Sequence, residues 1–333
     1  MLKKTIVATV IVLCLGVIVC KDTNKKIKPY DFSWEPTNFP SSDCIWHIAV
    51  ASNGDVWASS FSGTIYLSTD NGDNWFQKNN GPFGIASINV SPVNGHIFLA
   101  NFYQGLFRST DNGENWVQVT DSISIAYIYI TPSGEIYITG YWTTVYYSND
   151  NGDTWVDKGE GLPDESMVSA IRSLALGIDS TLYTGTSQNG VYRSTDGGDT
   201  WLPSSNYIQS VSINSLTVSD DSSIFAVTSH SGLLKSIDKG VTWSRINMGF
   251  SFDHIRGVIY NSITGDILIT LSMGNNSIYY YELYRSTDLG ASWELQNDGL
   301  PTDEVINMVA FNPNTGQMFA SCYDGLIYRS KKN

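Results

Sequence analysis

The stretch of sequence that decides the fold is Ser68-Thr-Asp70-Asn-Gly72-Asp-Asn-Trp75. Its pattern, Ser-x-Asp-x-Gly-x-x-Trp, occurs six times, beginning at Ser68, Ser109, Ser148, Ser194, Ser236 and Ser286. Successive copies are separated by roughly 40 to 50 residues, which is the repeat length of a β-propeller blade rather than of a helical solenoid. Near the end of the chain, Tyr328-Arg329-Ser330 matches the start of a seventh copy.

Each copy predicts a β-hairpin that is held by its own side chains. The Asp can accept hydrogen bonds from backbone N–H groups two residues further on, the Gly takes a positive φ, and the Trp covers the turn. We therefore expect a structural role for the Asp and Trp of every copy, namely Asp70, Trp75, Asp111, Trp116, Asp150, Trp155, Asp196, Trp201, Asp238, Trp243, Asp288 and Trp293.

Short strands are predicted on both sides of each copy. Residues 85–90 alternate in hydrophobicity, a turn at 91–95 follows, and residues 96–100 and 105–109 form two further strands before the next copy. First strands of the same kind recur at residues 46–50, 127–130, 171–176, 213–218, 256–260 and 307–311. The pattern predicts an all-β fold, a single seven-bladed β-propeller.

The strand count also indicates how the ring closes. Only six segments follow a patterned Trp as fourth strands, but Trp34-Glu-Pro-Thr-Asn-Phe-Pro40 resembles the segments that begin at Trp155 and Trp293. We expect it to be the outer strand of blade seven, because an N-terminal strand that completes the last blade removes open sheet edges. Residues 30–333 are therefore predicted to be one domain.

The first twenty residues are a different kind of sequence. Lys3 and Lys4 precede an uncharged run at residues 5–19, which is too short for a stable membrane span and is typical of a signal peptide. Residues 17–20 resemble a bacterial lipobox, although Val19 replaces the usual small residue, so lipidation at Cys20 is predicted. Residues 21–29 would be a polar tether. A signal peptide with an incidental cysteine is the alternative.

This segment predicts an exported protein. As a lipoprotein it would lie in the outer membrane, on the cell surface or in the periplasm, and otherwise it would be secreted. The formal net charge is −13. Since such a surface repels nucleic acid and anionic lipid, we expect no nucleic-acid partner and membrane contact only through the anchor at Cys20. We expect a monomer.

No cofactor or metal site is predicted. The four histidines, His47, His96, His230 and His254, are scattered along the sequence, and no glycine-rich phosphate loop follows a strand. Outside the N-terminal segment the chain has two cysteines, Cys44 at the start of blade one and Cys322 in blade seven. A disulfide between them is one expectation in an oxidising compartment, and two thiols are the other.

A ring of side chains stands out when the seven innermost strands are aligned on their shared apolar position. Two residues before that position stand Trp46, Ala86, Ala126, Arg172, Asn214, Arg256 and Asn307. Blades four to seven thus present Arg, Asn, Arg and Asn, which suits bidentate binding of a carboxylate or sulfate. The alternative is a solvated channel, or arginines paired with acidic residues such as Asp164 or Asp253.

Aromatic residues are frequent in the loops expected on the face opposite the patterned hairpins. Flat rings bury a large area at little entropic cost and suit recognition of sugars or peptides. Together with Trp46, Arg172, Asn214, Arg256 and Asn307, the predicted ligand-binding residues are Phe102, Tyr103, Tyr141, Trp142 and Tyr323. Packing between blades is the other explanation for these rings.

The repeated pattern resembles the Asp-box, or BNR, repeat, hereafter the box. The region after residue 30 is similar to box propellers such as sialidases, xyloglucanase-type glycoside hydrolases, the sortilin ectodomain and photosystem assembly factors. These families share the box because it builds blades, so it carries little information about chemistry. A sialidase would need three arginines around its substrate carboxylate and an Arg-Ile-Pro motif, which is absent here. Xyloglucanase-type enzymes use two tandem propellers.

Carboxylates in the loops keep a hydrolytic function open, because glycoside hydrolysis needs one suitably separated pair. The candidates are Asp164, Glu165, Asp303, Glu304 and Asp324. Two of these segments, Gly-Leu-Pro-Asp-Glu165 and Gly-Leu-Pro-Thr-Asp-Glu304, are copies of each other, which favours a repeat-related role. The sequence therefore predicts a non-catalytic propeller that binds a glycan or a protein. The alternatives are a glycoside hydrolase and a sortilin-like peptide-binding module.

Overall fold

The computed structural model describes residues 33–40, 43–120, 123–140, 144–163, 171–205, 208, 211–249, 254–275, 278–301, 304–323 and 325–331. They form seven antiparallel sheets of four strands each. The fold is an all-β seven-bladed propeller, as the box repeat predicts.

Blades 1 to 4 each follow the chain from the innermost to the outermost strand. Blade 1 contains β2 (Ile45–Val50), β3 (Val56–Ser60), β4 (Ile65–Ser68) and β5 (Phe76–Gln77). Blade 2 contains β6 (Ile85–Val90), β7 (Ile97–Asn101), β8 (Gly105–Ser109) and β9 (Val117–Gln118). Blade 3 contains β10 (Ile125–Ile130), β11 (Ile136–Gly140), β12 (Val145–Ser148) and β13 (Val156–Asp157). Blade 4 contains β14 (Ile171–Leu176), β15 (Leu182–Thr186), β16 (Val191–Ser194) and β17 (Leu202–Pro203).

Blades 5 and 6 continue the same order, and blade 7 takes its last strand from the N-terminal part of the chain. Blade 5 contains β18 (Ile213–Val218), β19 (Ile224–Thr228), β20 (Leu233–Ser236) and β21 (Ser244–Arg245). Blade 6 contains β22 (His254–Asn261), β23 (Asp266–Asn275), β24 (Ile278–Ser286) and β25 (Glu294–Leu295). Blade 7 contains β26 (Ile306–Phe311), β27 (Met318–Cys322), β28 (Ile327–Ser330) and β1 (Trp34–Pro36).

The pairing of β1 with β28 closes the ring. Trp34 lies opposite Ser330 and Glu35 lies opposite Arg329. The Trp34 indole Nε1 donates to the carbonyl of Gln296 in blade 6 at 2.9 Å. Trp34 therefore fills the place that a box Trp fills in the other blades, and the predicted closure is confirmed.

The hydrophobic core is divided among the seven blade interfaces. Each of the seven clusters of buried apolar residues combines side chains from two neighbouring blades. The seam cluster between blades 7 and 1, for example, joins Phe319 and Ile327 to Ile45 and Val56. Because each blade buries its faces only against its neighbours, the ring must close for every blade to be covered.

Each box is a small hydrogen-bonded unit at the turn between the third and fourth strands. In the first, the Ser68 hydroxyl accepts from the Gly72 N–H at 2.8 Å and donates to the Asp70 carboxylate at 2.9 Å. The carboxylate also accepts from the Asn74 N–H at 2.8 Å. The same three bonds recur in the other five boxes.

The expectation that the Asp binds N–H groups two residues further on is wrong about the position of the donor. The backbone donor lies four residues after the Asp, because two successive residues of the turn are left-handed. In the first box these are Asn71, with φ 66°, and Gly72, with φ 90°. They fold the chain back so that the N–H of Asn74 points at the carboxylate.

The box hydrogen bonds favour the ionised carboxylate. Donation from the side chain of Asn115, followed by its backbone N–H, lowers the pKa of Asp111 to about 2. The carboxyl pKa is also lowered to about 2 in Asp150, Asp196, Asp238 and Asp288. This contribution to stability is present above about pH 4 and is lost as the pH falls toward 2.

A cation from the preceding blade contacts each of the six boxes, an arrangement that we call the inter-blade clamp. Arg108 of blade 2, for example, reaches the Asn151 carbonyl at 2.6 Å and Asp153 at 2.7 Å in the box of blade 3. The other clamps join Arg329 to Asn71 and Asp73, Lys78 to Glu114, Lys158 to Asp199, Arg193 to Lys239, and Lys235 to Leu289. The repeated cations near the boxes thus serve the fold.

Blade 6 is the exception to this arrangement. Its clamp residue, Arg285, would face a box of blade 7, but the described part of blade 7 has Trp34 without the rest of the pattern. Arg285 instead lies 2.9 Å from Asp266 in its own blade, and both side chains are buried. Blade 6 also has the longest strands, and its β23–β24 hairpin extends from the face opposite the boxes.

Cys44 and Cys322 are not bridged in the structure. Cys322 is enclosed in the core cluster between blades 6 and 7. Half-buried Cys44 instead has its Sγ 3.5 Å from the side-chain amide of Asn307. Both cysteines are therefore thiols in this structure, which was the second of the two expectations.

Acidification is expected to weaken the propeller through His47, which is buried in β2. Burial lowers the pKa of its imidazole from 6.5 to about 3. Between these two values the unfolded chain binds one more proton, so the free energy of unfolding falls by as much as about 1.4 kcal/mol per pH unit as the pH decreases. Urea unfolding between pH 7.5 and 4.5 should show a smaller decrease for His47→Gln than for the natural chain. Equal decreases would contradict this role of His47.

Candidate functional site

The candidate site lies on the face opposite the boxes, hereafter the upper face, at the mouth of the central channel. Because the strands of each blade alternate in direction, the loops between second and third strands and the loops between blades lie on this face. The boxes lie on the other face. The innermost strands of neighbouring blades pack beside one another around the channel.

All seven innermost strands carry a β-bulge at the same place. The register shifts fall between Ile45/His47, Ile85/Ser87, Ile125/Tyr127, Ile171/Ser173, Ile213/Ser215, Ile255/Gly257 and Ile306/Met308. The residue that each bulge leaves out of the ladder is a member of the predicted ring, Trp46, Ala86, Ala126, Arg172, Asn214, Arg256 or Asn307. Since a bulge changes the direction of the side chain that it carries, the ring is a built feature of the channel mouth.

The ring residues of blades 4 and 5 are joined by hydrogen bonds. The Arg172 guanidinium donates to the Asn214 side-chain oxygen at 3.1 Å. The same oxygen accepts from the Ser229 hydroxyl at 3.2 Å. The predicted proximity of Arg172 and Asn214 is therefore confirmed, and the bond between them fixes the position of the guanidinium.

Arg256 of blade 6 stands over an aromatic ring. Its guanidinium carbon lies 5.1 Å from the ring centroid of Tyr281, within the distance of a cation–π contact. Two residues earlier, the ring of His254 lies 6.4 Å from that of His230 of blade 5, at right angles to it. The fold thus brings together two histidines that are far apart in the sequence and belong to different blades.

Asn307 and Trp46 connect the polar part of the ring to an aromatic part. The Asn307 amide donates to the Ile45 carbonyl at 2.9 Å and so contacts the backbone directly before Trp46. The Trp46 ring lies 5.4 Å from that of Phe61. Asn307 is therefore held by the seam between blades 7 and 1, while Trp46 begins a cluster of rings.

This cluster, which we call the aromatic platform, contains Trp46, Phe61, Phe83, Phe102 and Tyr103. The Phe61 ring lies at its centre, 5.0 Å from Phe83 and 6.3 Å from Phe102. Phe102 lies 6.5 Å from Tyr103. Phe83 is 62% exposed and Tyr103 is 63% exposed. Phe83 was not among the predicted site residues, although its position between Pro82 and Gly84 in a loop into blade 2 was a signal.

In blades 2 and 3 the ring position is an alanine. Ala86 and Ala126 are fully buried, and Ala86 belongs to the core cluster against which Phe102 packs. The channel mouth is thus divided into an aromatic part at blades 1 and 2 and an amide and guanidinium part at blades 4 to 7.

Several predicted site residues lie outside the described residues, namely Tyr141, Trp142, Asp164, Glu165, Asp303, Asp324 and Cys20. Of the candidate catalytic carboxylates, Glu304 is described and is half-buried. Tyr323 is exposed in the loop between β27 and β28, and its N–H donates to the Val305 carbonyl at 2.8 Å.

A separate groove of about 880 Å³ lies at the outer rim between blades 2 and 3. Arg108, Asp153, Tyr146 and Trp155 are among its lining residues. Arg108 and Asp153 form the clamp between these blades. The groove contains none of the ring residues.

Two kinds of site are absent from the described part of the chain. No group of three or more His, Cys, Asp or Glu side chains there is arranged to hold a metal ion. The same residues contain no helix whose length and hydropathy would suffice to cross a bilayer.

Comparison with known proteins gives a family and a set of similar folds. The model described as DUF6242 beta propeller domain matches residues 28–171 and 163–322. No curated protein matches the chain. A solved structure described as YCF48 bound to D1 peptide has a TM-score of 0.69 at 15% identity, covering 95% of this chain and 100% of its own.

Two enzymes have similar folds. The GH74 xyloglucanase from Xanthomonas campestris has a TM-score of 0.69 at 17% identity, and the match covers 90% of this chain and 53% of the xyloglucanase. Virginiamycin B lyase from Staphylococcus aureus has a TM-score of 0.70 at 14% identity, covering 91% of this chain and all of the lyase. Identities this low establish a shared fold and nothing about activity.

Proposed function

The chain belongs to the DUF6242 β-propeller family, and from this premise we propose that it is an exported, membrane-anchored, non-catalytic propeller that binds a glycan or a protein on its upper face. The anchor is the lipid at Cys20, which the lipobox-like sequence before it supports. The ligand would bind at the channel mouth, across the ring of bulge residues.

The proposal rests on one observation. The blades repeat the same backbone features, but the side chains at the bulges differ from blade to blade. The box bonds repeat in six blades, and the bulge repeats in all seven. The side chains at the bulges nevertheless differ around the ring, from tryptophan through alanine to arginine and asparagine. Positions that only build blades have no need of such variation, whereas a ligand without sevenfold symmetry requires it.

The chemistry of the ring favours binding over catalysis. Arg172 is oriented by Asn214, and Arg256 by the ring of Tyr281. Guanidinium groups held in this way can donate paired hydrogen bonds to a carboxylate or sulfate. Neutral amides and permanently charged arginines are poor proton-transfer groups, so these residues are suited to recognition.

The proposal is tested by replacing Arg172 and Arg256 together with methionine. Each charge-assisted hydrogen bond to a ligand contributes about 1.5 to 3 kcal/mol, so the double variant should bind at least tenfold more weakly. The measurement is a glycan, polysaccharide and peptide array, read for both binding and cleavage. Exposed Arg245→Met, at the outer edge of blade 5, is the matched control and should bind like the natural chain.

Two results would contradict the proposal. One is unchanged binding of the captured ligand by the double variant. The other is hydrolysis of any glycan that is lost in a Glu304→Gln variant or in a variant of another loop carboxylate, which would favour the glycoside hydrolase alternative instead.

A further inference from the structure

We propose that the aromatic platform is a binding surface for a neutral saccharide chain. This inference rests on the proposed function, because the platform occupies one half of the same channel mouth. It specifies which class of ligand would bind at blades 1 and 2. Here the ring carries Trp46 and Ala86 rather than arginine and asparagine.

The platform is continuous, with Phe83 and Tyr103 exposed and the other three rings half-buried. From Trp46 through Phe61 and Phe102 to Tyr103, consecutive ring centroids lie 5.4, 6.3 and 6.5 Å apart. Each step is comparable with the size of one pyranose ring. Phe83 stands edge-on to Phe61 with an interplanar angle of 74°. Together the five rings form an apolar surface against which the C–H faces of sugar rings can pack.

The loops that carry the rings are fixed to one another. The Gly84 N–H donates to the Phe61 carbonyl at 2.9 Å, and the Phe102 N–H donates to the Gly84 carbonyl at 3.0 Å. The Tyr103 ring lies so close to Gly84 that a Cβ there would come within 2.8 Å of it. The rings are therefore preorganised, and little conformational entropy is lost when a ligand binds.

The same hydrogen bonds argue against an extended peptide as the ligand. A bound peptide strand depends on exposed backbone donors and acceptors. Here the Asn101 side chain donates to the Phe83 carbonyl at 2.7 Å and accepts from the N–H groups of Tyr103 and Gln104 at 2.8 and 2.9 Å. Backbone groups of the platform loops are thus already engaged, so a ligand must be recognised mainly through side chains.

Side chains beside the rings supply what a saccharide needs. The hydroxyl of exposed Ser62 lies 3.3 Å from that of half-buried Thr64 and 2.7 Å from that of buried Ser60. Thr64 donates to the Asp43 carboxylate at 3.2 Å. This row of hydroxyls ends in a carboxylate, and both kinds of group form hydrogen bonds with sugar hydroxyls.

The charges near the platform favour a neutral saccharide. Among the described residues, the rings with a cation over them are Tyr147, Phe225 and Tyr281, none of which belongs to the platform. The Asp43 carboxylate bonds to Thr64 beside the platform, within a protein of net charge −13. An acidic saccharide would be repelled here, whereas a neutral one is not.

Affinity electrophoresis tests this inference with xyloglucan, mixed-linkage β-glucan, galactomannan and arabinoxylan as neutral probes and polygalacturonate as the acidic one. We expect at least one neutral polysaccharide to retard the natural protein. Phe83→Ala and Tyr103→Ala should each weaken this binding by tenfold or more. Phe76→Ala removes a phenylalanine of similar exposure, 58%, from outer strand β5 and should change it less than twofold. Tyr103→Phe keeps the ring and should retain most of the binding.

Three results would overturn the inference, namely no retardation by any neutral polysaccharide, equal retardation of Phe83→Ala and Phe76→Ala, or retardation by polygalacturonate alone. Thermal unfolding of each variant shows whether the fold is intact, and Phe83 and Tyr103 are exposed enough that it should be. If a peptide or acidic glycan binds in an Arg172- and Arg256-dependent manner while every neutral polysaccharide fails, this inference is wrong and the proposed function stands.

Discussion

A chain that lacks residues 30–40 should no longer unfold cooperatively and should aggregate. The deletion removes β1, so the outer edge of β28 becomes unpaired and available to other chains. It also removes buried Trp34 from the core cluster between blades 6 and 7, and loss of a buried tryptophan by itself costs about 3 to 5 kcal/mol. That is a large part of the stability of a typical domain.

The matched control is a chain that lacks residues 1–29 and keeps β1. Urea unfolding and light scattering of the two truncated proteins measure cooperativity and aggregation. The control should unfold in one transition at the midpoint of the natural chain. If the chain without residues 30–40 unfolded at that midpoint too, β1 would be dispensable and the described closure would carry no stability.

Arg329→Met should destabilise the seam between blades 7 and 1 by about 2 to 3 kcal/mol. The guanidinium donates to Glu35 at 2.8 Å, to the Asn71 carbonyl at 2.9 Å and to Asp73 at 2.6 Å. It therefore joins the closing strand, its own blade and the first box. Charge-assisted bonds contribute about 1.5 to 3 kcal/mol each, but partly exposed carboxylates are screened, so the total is smaller than their sum.

Urea unfolding measures this effect, and Arg108→Met is the informative comparison. Arg108 makes the equivalent clamp between blades 2 and 3 but does not contact a closing strand. We expect Arg329→Met to be the more destabilising of the two. Asp73→Asn, in the Arg329→Met background, should have little further effect. An Arg329→Met variant as stable as the natural chain would show that the seam does not depend on this clamp.

The repeat made most of the fold predictable. The spacing of the boxes predicted seven blades. The similarity of the Trp34 segment to the segments at Trp155 and Trp293 predicted the closing strand. Both are local sequence patterns, so one copy of the repeat is enough to identify the others. The bulges were not predicted, yet the ring of aligned residues coincides with them, because the same bulge occurs in every innermost strand.

The contacts between blades could not be predicted from the sequence. The clamp from Arg108 to Asp153 and the pairing of His230 with His254 join residues of different repeats. Their proximity depends on how neighbouring blades pack, which no periodicity encodes. The aromatic platform was predicted in part, since Phe102 and Tyr103 were identified, but Phe83 comes from a loop between blades.

Binding of the ligand on the upper face can be measured by hydrogen–deuterium exchange with and without the first ligand captured on the array. Binding at the channel mouth should slow amide exchange in the upper-face loops at residues 81–84, 101–104 and 229–232. The box hairpins, such as residues 68–75 and 148–155, should exchange as they do in the ligand-free protein. Slower exchange in the box hairpins, with no change in the upper-face loops, would show that the ligand binds on the opposite face.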